Sequence, residues 1–265
     1  GQRGSIDFAG GTAIHVNAGI AALACVLVLG KRRGWPQEGH PPHSMPLVMI
    51  GTGILWFGWF GFNAGSALAA NGQAIQAFMN TFLAAAAAGL AWVLVEWARD
   101  GHPTNLGAAS GIVAGLVAIT PAAGYVSGMG PIFIGLIAGV VCCYAVRLKT
   151  KAGFDDALDV VGVHFVGGLV GSLMIGLFAD ADYFGAEHMN GLFYGGGLEL
   201  LAEQALANGV TIVYSGIITA VILLAIKATI GLRVPEEVEA TGLDVAEHAE
   251  TAYNTGDAFM ERAGF

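Results

Sequence analysis

Residues 45–95 read MPLVMIGTGILWFGWFGFNAGSALAANGQAIQAFMNTFLAAAAAGLAWVLV, fifty-one positions without one Asp, Glu, Lys or Arg. A helix that crosses a bilayer needs about 20 apolar residues, so this stretch holds two crossings, with Asn71-Gly72 as the turn between them. Outward from it the pattern repeats. No charged residue occurs between Glu38 and Glu96, Asp100 and Arg147, Asp159 and Asp180, or Glu203 and Lys227. Over all 265 residues 55% are hydrophobic and 12% charged, about half the charge of an ordinary soluble domain. The fold class this predicts is all-α, a polytopic bundle of membrane helices. A soluble enzyme is excluded. A nucleic-acid binder is excluded too, because the net charge is −9 and no basic patch exists. Cys25, Cys142 and Cys143 lie in apolar runs without Cys-x-x-Cys spacing, so they read as packing residues rather than disulfide or metal sites.

Apolar runs and their breakers place seven spans, at 7–30, 45–69, 73–97, 105–126, 129–148, 157–179 and 206–231. Pro121 lacks a backbone donor and is expected to kink or end the fourth. Between the spans, Lys and Arg fall only in alternate loops, and the loops around Asn71, around Gly128 and over 180–205 have none. Lys31-Arg32-Arg33 follow span one, Arg99 span three, Arg147, Lys149 and Lys151 span five, and Arg233 span seven. The positive-inside rule makes those loops cytoplasmic, with residue 1 outside and the C-terminus inside, in a multi-pass protein of the cell's plasma or inner membrane, in contact with lipid. Two parts follow: a transmembrane domain over 1–231 and an acidic cytoplasmic tail over 232–265. The tail has eight acidic residues against Arg233 and Arg262, and Pro235-Glu236-Glu237 suits a first helical turn. Position 1 is Gly and no signal-peptide pattern precedes the first span, so a piece of a longer protein is expected.

An ionisable group at the bilayer centre costs about 2.5–3.5 kcal/mol on insertion scales, so each one needs a reason. Of seven histidines, His15 and His164 fall well inside spans, while His40, His43, His102, His188 and His248 belong to loops or the tail. The two buried ones share a frame. Asp7 precedes His15 by eight residues and Asp156 precedes His164 by eight, with Asn17-Ala18-Gly19 answered by Val166-Gly167-Gly168. One copy enters from outside and the other from inside, and inverted repeats place their shared site near the midplane. Eight residues of helix rise about 12 Å, so two imidazoles starting from opposite faces can meet. In span two, Trp59, Phe62 and Ser66 share one helical face. That face reads either as an aromatic cation site with a hydroxyl, or as an interfacial aromatic belt whose hydroxyl bonds its own backbone. In a narrow apolar lumen a metal cation faces an idealised desolvation cost of order 20 kcal/mol. Ammonium can shed a proton, and neutral ammonia pays only a few kcal/mol, offset by hydrogen bonds to histidine nitrogens.

Asp7-Phe8-Ala9-Gly10-Gly11-Thr12 with His15, the run Gly58 to Ser66, Thr120-Pro121-Ala122-Ala123-Gly124, Asp155-Asp156 through His164, and the tail run Gly231 to Glu237 with Gly242-Leu243-Asp244 together resemble the ammonium transporter (Amt/MEP) family. The resemblance covers essentially the whole chain. It implies an eleven-helix fold of two inverted five-helix repeats, about five further helices before Asp7, and a homotrimer with one pore per subunit. By that resemblance His15 and His164 are the twin histidines of the pore and Phe62 is one of two gate phenylalanines. Ser66 is the hydroxyl of the external ammonium site, Trp59 lines the pore, and Asp7 sits below that site. The implied function is transport of ammonium or ammonia without cofactor or metal, regulated by a PII-type signalling protein at the tail. A Rh-like neutral gas channel and an ammonium sensor are the alternatives. No His-Glu-x-x-His is present for an intramembrane protease.

Overall fold

The computed structural model describes residues 4–183 and 189–251. Seven helices form the membrane part: α1 (Asn17–Leu29), α2 (Met45–Gly65), α3 (Gly72–Asp100), α4 (Asn105–Ile119), α5 (Gly130–Ala152), α6 (Val166–Phe178) and α7 (Glu199–Thr229). Two π-helical turns, Gly11–Val16 and Val161–Phe165, run directly into α1 and α6. Counting those turns, six helices among the described residues are long and apolar enough to cross a bilayer, and α4 is a shorter apolar helix. Ser44, Asn71 and Thr104 cap α2, α3 and α4 by accepting from the backbone N–H three residues on. His40, His43, His102 and His248 are exposed, and His188 lies outside the described residues.

Three boundaries differ from the sequence reading. The fourth span, read as 105–126, stops being helical at Ile119, because Pro121 follows and residues 120–125 turn instead. The first, read as starting at Asp7, starts at Gly11, so the helical rise from Asp7 to His15 is shorter than eight residues. The seventh, read as 206–231, begins earlier, at Glu199.

Freed backbone groups in the turn after α4 need partners, since hydrocarbon supplies none. Helix α3 provides them from one face at i, i+3 and i+7. Gln73 Nε2 donates to the Gly124 carbonyl at 3.2 Å and Gln76 Nε2 to that of Val126 at 3.2 Å. Asn80 Nδ2 donates to the carbonyls of Ala123 and Val126 at 2.9 and 2.8 Å. The segment before the first π turn closes the other side, with Phe8 N–H on the Pro121 carbonyl at 2.9 Å and Ala9 N–H on that of Thr120 at 3.2 Å. Around this α3, α4 and α5 meet through small residues. A methyl group at Gly135 or Gly139 would run into the Ala84 or Ala88 backbone of α3.

The basic loops gather at one end of the bundle. Arg32 grips Asp155 with Nε and Nη2 at 2.8 and 2.7 Å while its own N–H donates to the same carboxylate at 2.8 Å. Arg147 reaches Asp100 at 2.6 Å, and Arg233 Nη1 donates to the Lys31 carbonyl at 2.7 Å. After Pro235 the tail forms two short helices, α8 (Glu236–Thr241) and α9 (Leu243–His248), with Arg233 also paired to Glu239. The Asp155 side chain is 1% exposed against 38% for Arg32, and the guanidinium holds the Asp155 carboxyl below the usual carboxylate range. Its stabilisation is therefore complete above that range and is lost as pH falls below about 4. Asp155→Asn is expected to cost about 1–2 kcal/mol at neutral pH, discounted for the exposed arginine. It should also flatten the acid limb of the thermal melting profile in detergent.

Candidate functional site

The two aspartate–histidine frames fold alike. Asp7 Oδ1 accepts from Gly11 N–H at 2.6 Å, and Oδ2 from Thr12 and Ala13 N–H, both at 3.0 Å. Asp156 accepts from Val160 and Val161 N–H at 3.0 and 2.8 Å. Three residues after each aspartate the backbone takes a positive φ, 99° at Gly10 and 58° at Asp159. Gly adopts that region freely and Asp tolerates it. The carbonyls of those two residues then accept from Ile14 N–H at 2.7 Å and Val163 N–H at 2.8 Å, each just before a histidine. Each aspartate thus caps a π turn, a geometry frequent at functional sites, and each π turn carries its imidazole.

The turns cross where glycine replaces a side chain. Gly19 and Gly168 both lie four residues beyond their histidine. A methyl group at Gly19 would collide with the Phe165 backbone, and one at Gly168 would sit 3.0 Å from the His15 Cβ. That approach brings the imidazoles together, with His15 Nδ1 and His164 Nδ1 3.3 Å apart and the ring centres 5.3 Å apart. One Nδ1 must carry the hydrogen and the other accept it. His15 is 5% exposed, and its Nε2 is buried without a hydrogen-bond partner among the described residues.

Trp59 stacks on His15, with ring centres 5.3 Å apart and planes at 19°. Its indole N–H donates to Thr120 Oγ1 at 2.9 Å, and that hydroxyl donates to the Leu116 carbonyl at 2.7 Å. Phe62 tilts towards both, 6.3 Å from His15 and 5.7 Å from Trp59. Ile14, His15, Ile54, Leu55, Gly58, Trp59 and Phe62 line an apolar cleft of about 410 Å³.

Of the six residues read from the sequence, four converge: His15, His164, Trp59 and Phe62. Asp7 stands behind them as the cap of the first π turn. Ser66 is the residue just past the C-terminus of α2, half-buried, and its hydroxyl donates to the Phe62 carbonyl at 2.9 Å. That is the local backbone bond weighed as one reading of this hydroxyl, and it leaves the oxygen lone pairs to accept. Thr120 enters the sequence reading only within the Thr120–Gly124 run and not as a site residue. A threonine beside the helix-breaking Pro121 was the available signal.

The family of ammonium transporters, described as the Ammonium Transporter Family, matches residues 1–253. The chain belongs to that family. An ammonium transporter of Mycobacterium tuberculosis is 57% identical over 257 residues, which cover 94% of this chain and 53% of that protein. An ammonium transporter of Aquifex aeolicus is 54% identical, covering 95% and 58%. The chain therefore spans about half the length of the curated relatives it matches. The crystal structure of Candida albicans Mep2 superposes with a TM-score of 0.83 at 39% identity, over 93% of this chain and 57% of that one. A structure described as a sensor Amt protein gives 0.82 at 34% identity, over 93% and 61%.

The Trp59–Thr120 bond yields a direct test. Thr120→Val keeps the volume but leaves a buried indole N–H unpaired, a loss of about 1–3 kcal/mol. Thr120→Ser should restore most of it, read as the thermal midpoint of the detergent-solubilised chain.

Proposed function

We propose that this chain forms part of a pore that moves ammonium or ammonia across a cell membrane, with His15 and His164 as its narrow, dry centre. The observation that carries the reading is the Nδ1–Nδ1 pair at 3.3 Å with a buried, unpartnered Nε2 beside an apolar cleft. Two imidazoles linked this way offer a neutral molecule one hydrogen bond at a time and offer a hydrated cation no replacement for its shell. Ammonium is recruited on the outer side, where Phe62 and Trp59 provide π faces and Ser66, its own hydrogen turned to the Phe62 carbonyl, provides an acceptor. It gives up a proton before the histidines, NH4⁺ becoming NH3 plus H⁺, and ammonia and the proton cross separately, so that each substrate carries net charge inward. The histidine pair titrates as one coupled unit in this scheme.

In the same reading residues 1–231 are the membrane domain and 232–265 a cytoplasmic tail. The chain sits in the plasma or inner membrane with residue 1 outside, works within a homotrimer, and meets a PII-type protein through the tail. The gathering of Lys31–Arg33, Arg147 and Arg233 at one end supports the orientation. A sensor role is the second reading, favoured by the likeness to the sensor Amt protein.

His15→Ala is expected to reduce methylammonium uptake by reconstituted vesicles at least tenfold while the protein still folds. Uptake equal to the parent overturns the reading, and uptake with no accompanying current points to the Rh-like alternative. Removal of residues 233–265 is expected to abolish PII association in a pull-down, and unchanged association defeats the tail assignment.

A further inference from the structure

Helix α7 presents most of its length outward, yet Gln204 and Asn208 on it are each 1% exposed. Neither amide serves the helix alone. The Gln204 carboxamide clasps both main-chain polar groups of one residue: Oε1 accepts from Ile6 N–H at 2.8 Å, and Nε2 donates to the Ile6 carbonyl at 2.8 Å. Ile6 is the residue before Asp7, so this clasp fixes the backbone from which the capping carboxylate projects. Asn208 Nδ2 donates to Ser172 Oγ of α6 at 2.8 Å, and the same oxygen accepts from Thr12 Oγ1 at 2.8 Å. Thr12 lies in the first π turn, one turn before His15. Ser172 lies eight residues beyond His164, on the helix that its π turn opens. Gln204 Nε2 also approaches Ser172 Oγ at 3.2 Å, joining the two ties.

A helix that only shields other helices from lipid needs apolar contact and no buried amides, since each amide costs free energy unless fully paired. Here one helix spends two amides, one turn apart, on the two elements that bear the histidines. The geometry points to Gln204 and Asn208 as positioning residues for the pore: they hold the Ile6–Asp7 backbone and the Thr12–Ser172 contact in register, so that the Asp7-capped turn sets His15 against His164. This rests on the transport reading for its functional consequence, and on the hydrogen bonds alone for its structural one.

The test uses the full chain in lipid nanodiscs with histidine ring nitrogens labelled by ¹⁵N, assigning the pore signals by their disappearance in His15→Gln and His164→Gln. Gln204→Met matches the side chain in shape and makes neither bond to Ile6. Gln204→Glu keeps the acceptor for Ile6 N–H and loses the donor, and serves if the first variant does not fold. Either variant is expected to move the His15 ring signals while Ser215→Ala, on the same buried stripe of α7, leaves them in place. In uptake assays the Gln204 variants are expected to lower the maximal rate for methylammonium several-fold, because the turn that sets His15 against His164 is displaced. Asn208→Asp, which loses the donor to Ser172, is expected to lower it as well. Unmoved ring signals in both Gln204 variants overturn the inference. Absence of uptake by the unsubstituted chain would defeat the transport reading and leave the ring-signal comparison intact.

Discussion

A peptide group released from a helix inside hydrocarbon has no water to turn to, and the architecture depends on meeting that demand at three places. The segment before the first π turn, the turn after α4 and the segment before the second π turn all leave helical hydrogen bonding. Each is repaired by a side chain or by another of the three. Asp7 and Asp156 absorb the amides that begin the π turns. Gln73, Gln76 and Asn80 absorb the carbonyls after α4. Phe8 and Ala9 bond directly to the Thr120–Pro121 segment. The irregular backbone is thereby tied to itself in the middle of the bundle, and His15 and His164 are attached to it.

This arrangement explains why the histidines are held so closely. A π turn advances its side chains differently from the α-helix that follows, and an aspartate cap at its start fixes where the turn begins. Two such turns, crossing at Gly19 and Gly168, leave little freedom for His15 and His164. Trp59 lies flat against His15 and is itself pinned by Thr120, which belongs to the repaired break after α4. Imidazole, indole and broken helix thus form one mechanical unit. The proposed pore, which would admit a neutral molecule and refuse a hydrated ion, needs such preorganisation, because a looser pair would relax around water.

Much was legible in the sequence, because a bilayer imposes a length and a polarity on every segment that crosses it. The charge-free runs gave the membrane class, and α2, α3 and α5 fall close to the expected limits. Asp7-to-His15 and Asp156-to-His164 showed their shared frame by spacing alone. Pro121 announced the end of α4 by its missing donor. These signals are local, each set by a few neighbouring residues or by the solvent around them.

What the tertiary structure alone decided is how those local pieces close on one another. Spacing could say that two histidines occupy equivalent positions, but not that the turns bearing them are π-helical or that Nδ1 faces Nδ1. Those facts follow from glycine-permitted crossing of segments separated by 149 residues. Thr120 under Trp59, and the amides of Gln204 and Asn208 under Asp7 and Thr12, were invisible as partners because an amide or hydroxyl in an apolar run carries no mark of what it will bond. Its partner is chosen by which broken backbone or buried oxygen the fold brings within 3 Å, and only packing in three dimensions makes that choice.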